Sequence, residues 1–329
     1  MKKETISKQM YIDWYSVAPG VWRIKDIFVN MYLIHNAADN KWVLVDAGLK
    51  TSAAKIKKVA EHLFWPETTP KAIVLTHAHF DHVGSLRKLA EEWDVPVYAH
   101  ALEKPYLTGM SKYPPPDPSV GGGMMSLMSF AYPRGPIDIA ERLLVLPEDG
   151  TIPVLPEWRY YHTPGHAPGH ISLFRQRDRL LIAGDAFVTT RQESAVYALT
   201  QKRELHGPPK YFTYNWQSAE RSVRILADLE PEIAATGHGK PMAGQELRQH
   251  LHDLAENFRE RAVPAKGRYV GDPALVNYQG VQYVPPARTR NLVLATVGIT
   301  AAAAAAMVGF LLVRNRTQQR SWFQRLQLK

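Results

Sequence analysis

The 329-residue sequence predicts an α/β domain of layered strands and helices. Two observations point there. Short apolar runs rich in β-branched and aromatic residues alternate with stretches whose apolar residues recur at helical spacing. Several of those runs end directly at a histidine or aspartate, as expected of strands that deliver motif residues to one edge of a layered domain.

Taken in order, "VWRI", "FVNMYLIH" and "KWVLVD" within 21–46 read as strands separated by short polar turns. "SAAKIKKVAEHLF" (52–64) has the spacing of a helix, and "KAIVLT" (71–76) is an apolar run suited to a buried strand. "SLRKLAEEW" reads as a helix and "VPVYAH" as the next strand. A second run of strands follows in "RLLVL", "EWRYYH", "HISLFRQ" and "RLLIAGD". A helix at about 216–229, a strand "EIAATG" and a helix from Gly244 to about Arg261 complete the domain, placed at 1–265.

Residues 111–135, "SKYPPPDPSVGGGMMSLMSFAYPRG", interrupt this order with a proline run, three glycines and a methionine-rich patch. A loop of this length in a compact domain reads as a lid or binding segment on the substrate side. Its flexible methionines suit an apolar ligand.

Composition narrows the function. The chain has no cysteine, which excludes disulfides, thiolate metal sites and a cysteine nucleophile. Of the net charge of +9, seven positive residues and no acid lie from Pro286 onward, which leaves two for residues 1–285. A near-neutral main domain argues against nucleic acid as a partner. Residues 266–290 read as a linker. The uncharged "NLVLATVGITAAAAAAMVGFLLV" (291–313) has the length of a single membrane span, followed by a basic tail at 314–329. The N-terminal residues show no apolar export segment, so the domain is expected on the cytoplasmic side of that membrane. The basic tail argues for the opposite orientation under the positive-inside rule.

"THAHFDH" (76–82) packs three histidines and an aspartate into seven residues. In an extended segment His77 and His79 point to one side and can share an ion, while a turn sends Asp81 and His82 towards a neighbouring point. Each pair needs partners, because a metal site takes three or four ligands. Candidates stand at the ends of other strands: His166 in "HTPGHAPGH", Asp185 in "LLIAGDA" and His238 in "IAATGHGKP".

The series HxHxDH, the histidine of PGH, the aspartate of GD and the histidine of GH, in that order, resembles the metallo-β-lactamase superfamily. "VLVDAG" (43–48) resembles its first motif. The likeness covers residues 15–260 and is nearest to the glyoxalase II-like hydrolases. It implies an αββα four-layer sandwich of two mixed sheets flanked by helices, with a dinuclear centre at one edge. By that resemblance His77, His79 and His166 would hold the first metal, and Asp81, His82 and His238 the second. Asp185 would bridge them, with Asp81 and Asp185 assisting catalysis. Asp46 would support the ligand loop, unless it is a solvated turn residue. His170 reads as a supporting or structural residue rather than a substrate contact. Imidazole and carboxylate donors without sulfur suit two divalent ions, Zn2+ first, with Fe or Mn as alternatives.

The resemblance implies a hydrolase in which a metal-bridging hydroxide cleaves an ester, thioester or lactone of a small, apolar acyl substrate. Asp185 and the missing cysteine argue against a true β-lactamase, and His79 against an oxygen-reducing di-iron site. Val188, preceded by Phe187, stands where signal lactonases carry tyrosine. "GHGKP" places Lys240 near the site, as a substrate contact or as a surface charge. The alternatives are a mononuclear-iron persulfide dioxygenase-like oxidoreductase, a phosphodiesterase of the same superfamily, or a tethered binding protein.

Overall fold

The computed structural model describes residues 14–37 and 39–287. The predicted membrane span at 291–313 and the basic tail lie outside the described residues. Among those described, no helix is long and apolar enough to cross a membrane.

The first half of the chain builds a seven-stranded sheet. Strands β1 (Trp14–Ala18), β2 (Val21–Asp26), β3 (Val29–Asn36) and β4 (Lys41–Val45) form an antiparallel meander. Helix α1 (Ala53–Leu63) then crosses over to β5 (Ala72–Val74), which lies parallel to β4. Helix α2 (Leu86–Trp93) crosses in the same manner to β6 (Val97–Ala99). After it come the short helices α3 (Lys104–Leu107) and α4 (Met124–Met128), then β7 (Leu143–Val145). The sequence groups β7 with the second run of strands. In the fold it pairs parallel with β6 and ends the first sheet, since an apolar run does not name its partner.

The second sheet has five strands in the order β12-β11-β10-β9-β8. They are β8 (Trp158–His162), β9 (Ile171–Arg175), β10 (Leu180–Gly184), β11 (Ile233–Thr236) and β12 (Met242–Ala243). Between β10 and β11 run α5 (Ala195–Thr200) and α6 (Trp216–Asp228). The helix expected from Gly244 to about Arg261 is two, α7 (Gly244–Glu256) and α8 (Phe258–Arg261), parted at Asn257.

Side-chain alternation sorts the core into three layers. Tyr32, Ile34, Val43, Val45, Ala72 and Val74 face Ile171, Leu173, Leu180, Ile182 and Ala235 between the two sheets. Their neighbours Met31, Leu33, Trp42, Leu44 and Ile73 point the other way, onto Ile56 and Ala60 of α1 and Leu86 and Leu89 of α2. Phe174, Leu181 and Ala234 likewise leave the second sheet to meet Val223 and Leu226 of α6 and Leu251 and Leu254 of α7. The succession is helices, sheet, sheet, helices. Each fully buried Leu, Ile or Val contributes about 1.5–3 kcal/mol.

The stretch read as a linker is folded up to Pro286, within the same compact unit. It forms the hairpin β13 (Leu275–Asn277) and β14 (Gly280–Tyr283). Tyr269 and Ala274 are buried in the second cluster, and Val281 packs on the first. The Asn277 side chain accepts from Gln279 N at 2.8 Å, which closes the turn locally.

Candidate metal centre

The site forms where the two sheets touch. Elsewhere a layer of side chains separates them. At this edge Ile171 N donates to Thr76 O at 2.9 Å, tying the exit of β5 to the entry of β9. Asn30 N donates to Gly237 O at 2.8 Å, tying β3 to the exit of β11. Strands β4 and β5 are parallel, as are β10 and β11. β8 runs with β10, because both are antiparallel to β9. The carboxyl ends of all five strands therefore open on this seam, which is where open α/β sheets hold ligands.

Each candidate ligand leaves one of those ends. The segment after β5 carries His77, His79, Asp81 and His82. The turns after β8, β10 and β11 carry His166, Asp185 and His238. All seven are at most 5% exposed. Their ligand atoms fall into three groups, each with atoms within 4.8 Å of one another: His77, His79 and His166; His77, His82 and Asp185; Asp81, His82 and His238. His77 and His82 each belong to two groups, so the three sites are contiguous. Asp185 Oδ2 lies 3.1 Å from His238 Nε2, 3.3 Å from His166 Nε2 and 3.7 Å from His82 Nε2. That one oxygen adjoins both outer groups.

The histidine tautomers are set from behind. His82 Nδ1 donates to Asp46 Oδ2 at 2.8 Å, and His238 Nδ1 donates to Phe28 O at 2.9 Å. His77 Nδ1 meets the Thr76 hydroxyl at 3.0 Å. These bonds turn the Nε2 atoms of the three rings inward. His77 Nε2, His82 Nε2 and Asp185 Oδ1 are buried without a hydrogen-bond partner. An unsatisfied buried polar atom costs about 1–3 kcal/mol, so several at one point fit a cation that all of them would face. The donor set, nitrogen and carboxylate oxygen only, fits a divalent ion.

Charge follows the same geometry. Burial alone would raise the Asp185 carboxyl, yet the facing His238 and His82 hold it well below the usual range. Burial would depress His82, but Asp46, Asp185 and Asp81 hold it well above its ordinary value. His77 is driven well below by burial and by the neighbouring His82 and His79. His77 is thus held neutral, the form in which imidazole binds a metal.

Asp46 is buried and receives Thr76 N and the Thr76 hydroxyl, each at 2.8 Å, besides His82. It pins the start of the ligand loop and is no solvated turn residue. His170 uses both nitrogens, Nε2 accepting from Asp185 N at 2.8 Å and Nδ1 meeting the Thr163 hydroxyl at 2.8 Å. It orients Asp185 by its backbone. Two glycines are required here by close approach. A Cβ on Gly237 would lie 2.0 Å from Asp185 Oδ1, and one on Gly184 would lie 2.5 Å from His170 Nε2. Lys240 is exposed, and Phe187 and Val188 are buried.

Three residues that pattern reasoning passed over belong to the site. Glu103, buried, accepts Ala78 N at 2.9 Å on one oxygen and Gly169 N at 2.6 Å on the other. It thereby joins the loop of His77 and His79 to the loop of His166. Tyr113 donates its hydroxyl to the same carboxylate and sets its ring 4.5 Å from that of His79. Phe212 stacks on the His79 ring at 4.4 Å. Tyr113 lies in the 111–135 segment that the sequence singles out, but no spacing rule marks Glu103 or Phe212.

Comparison with known proteins agrees with this geometry. The Metallo-beta-lactamase superfamily description matches residues 24–238. A Bacillus subtilis (strain 168) protein named "Probable metallo-hydrolase YflN" is 46% identical over 245 residues, 74% of this chain and 93% of its own. Among solved structures, a beta-lactamase domain protein from Burkholderia ambifaria superposes with a TM-score of 0.52 at 20% identity, over 75% of this chain and 76% of that one. BJP-1, a subclass B3 metallo-beta-lactamase of Bradyrhizobium japonicum, gives 0.51 at 18%, over 75% and 92%. These two likenesses speak for the fold alone. Two mixed sheets meeting at a His/Asp metal-binding edge, and a match running through every one of those ligands, make the chain a member of the metallo-beta-lactamase superfamily.

Proposed function

We propose that the chain is a dinuclear metal-dependent hydrolase that cleaves an ester, thioester or lactone carbonyl. The observation that carries this reading is Asp185 Oδ2, which adjoins His166 on one side and His82 and His238 on the other. His77, His79 and His166 would hold one ion, and Asp81, His82 and His238 the other, with Asp185 between. Bound divalent ions supply an acidified water and an electrophile for the carbonyl oxygen.

The chain's own residues prepare that chemistry. Asp46, Thr76 and the Phe28 carbonyl fix the rings of His82, His77 and His238 before any ligand arrives. His170 sets the Asp185 backbone, and Glu103 locks the two ligand loops together. Such preformed geometry spares the reaction a reorganisation cost. The name carried by the Bacillus subtilis relative supports a metallo-hydrolase.

Metal analysis of the purified protein, followed by a panel of thioester, lactone, aryl ester, phosphodiester and persulfide substrates, tests the proposal. Two ions per chain and turnover of a carbonyl ester are expected. One iron per chain with persulfide oxidation would replace it with the oxidoreductase reading, and turnover confined to the phosphodiester would replace it with the other hydrolase class.

A further inference from the structure

Beside the His79 side of the centre stands a group of aromatic rings that the metal chemistry does not use. Phe80 follows His79 directly, and its ring centroid lies 5.5 Å from that of Tyr132 and 6.3 Å from that of Phe212. Tyr132 and Phe212 are 6.0 Å apart, which closes the triangle. Phe212 in turn lies 4.4 Å from His79 and 6.2 Å from His166, two candidate ligands. Phe80 and Tyr132 are only half-buried although they adjoin a fully buried centre. Half-exposed aromatic faces beside a buried centre are surfaces that gain by taking up an apolar ligand.

The wall is held in place before any ligand binds. Tyr132 belongs to the 111–135 segment, and its hydroxyl is turned onto Met125 Sδ at 3.5 Å. The segment is anchored along its length. Asp117 N donates to Tyr211 O at 2.7 Å, Met125 N to Glu193 O at 3.0 Å, and Tyr269 Oη to Pro115 O at 2.6 Å. A rigid apolar face next to a reaction centre binds one part of the substrate without an ordering cost.

We propose that Phe80, Tyr132 and Phe212 form an acyl-arm subsite that selects carbonyl substrates bearing an aryl or medium-length alkyl acyl group. This rests on the carbonyl-hydrolase reading above and names the substrate class within it. The arm would lie against the triangle while its carbonyl reaches the ions beside His79 and His166. Tyr132 is the residue to test, because it is neither a candidate ligand nor adjacent to one in sequence.

Two measurements on the full chain decide the matter. In the first, calorimetry compares binding of 4-phenylbutanamide and acetamide, neutral amides sharing the carbonyl and differing in the arm. The second takes the ratio of kcat/KM for methyl 4-phenylbutyrate over methyl acetate in the metal-loaded protein. Both should favour the aryl arm in the native chain. Tyr132→Ala should lower both preferences at least about tenfold, corresponding to about 1.4 kcal/mol, while Tyr132→Phe keeps them. No preference for the arm, or a preference unchanged in Tyr132→Ala, overturns the subsite. If no ester is turned over but the amide still binds in a Tyr132-dependent way, the subsite stands and the hydrolase reading falls. If esters are hydrolysed without regard to the arm, the reverse holds.

Discussion

His100 and His162 stack face to face with centroids 4.1 Å apart, closer than the 4.6 Å between His77 and His79. Proximity is thus common to both pairs, although His100 and His162 are half-buried where His77 and His79 are fully buried. What differs most is the company of the nitrogens. His100 Nδ1 accepts from Leu102 N at 3.2 Å, and His162 Nε2 meets Pro168 O at 2.9 Å. The pair borders an open groove of about 560 Å³, and it belongs to none of the metal-competent groups among the described residues. In the other cluster, carboxylates interleave with the imidazoles and ring nitrogens are left without partners. Density of histidine does not make a metal site. Unsatisfied nitrogens converging beside a carboxylate do.

That contrast can be broken at its strongest point with Asp185→Asn. Removing the charge between the groups should lower hydrolysis more than about 100-fold, beyond the usual cost of losing a supporting partner. It should also drop the metal content, with the circular dichroism unchanged. Turnover near the native rate would show that the carboxylate does not join the two groups. Asp46→Ala should cost less. It frees His82 Nδ1 and Thr76 N while sparing every candidate ligand, so metal affinity should fall about 10–100-fold, read by competition with a chelator.

Glu103→Gln sharpens the comparison one layer further out. Both Glu103 oxygens accept backbone N–H groups, and an amide can accept with one end only. The variant should lose about 1–3 kcal/mol of stability by urea unfolding. Burial pushes the Glu103 carboxyl up to about 7, with Tyr113, Gly169 and Ala78 opposing. An acid raised in the fold favours its protonated form there, so native stability should decline between its ordinary range near 4.5 and 7. Glu103→Gln should flatten that stretch of the curve.

The smallest effect is expected at the other histidine pair. Burial, with His162 beside it, depresses His100 to about 4. A histidine kept neutral by the fold gives stability that is lost as pH falls from 6.5 towards 4. His100→Gln should remove about 1–2 kcal/mol of that dependence, allowing for partial exposure. Metal content should stay native. Loss of metal in this variant would erase the distinction between the two clusters.

The ligands were legible because they sit at the ends of strands that announce themselves. His77 to His82 crowd one exit, and Gly184–Asp185 and Gly237–His238 mark two more. Glu103 was not, since its role depends on the backbone of Ala78 and Gly169, distant in sequence and met only in the fold. Among the elements, β10 is apolar throughout, and β3 and β4 hold apolar runs at 31–34 and 42–45 that are easily read. β1 has two exposed residues in five and no clean alternation, and the six-residue α5 leaves Val196 and Leu199 exposed. Neither carries the signal that burial writes into sequence. The hairpin at 275–283 did carry a turn signal in "NYQG", but its strands of three and four residues are too short to announce themselves.

The hydrogen bonds from Ile171 to Thr76 and from Asn30 to Gly237 have a temporal consequence. During synthesis the His77–His82 segment emerges long before His238, and it cannot meet its partners until the second sheet exists. Because these contacts span so much of the chain, closing them belongs to the late, slow part of folding. Capture of an ion by the complete ligand set would therefore come last, as a latch on a sandwich already assembled.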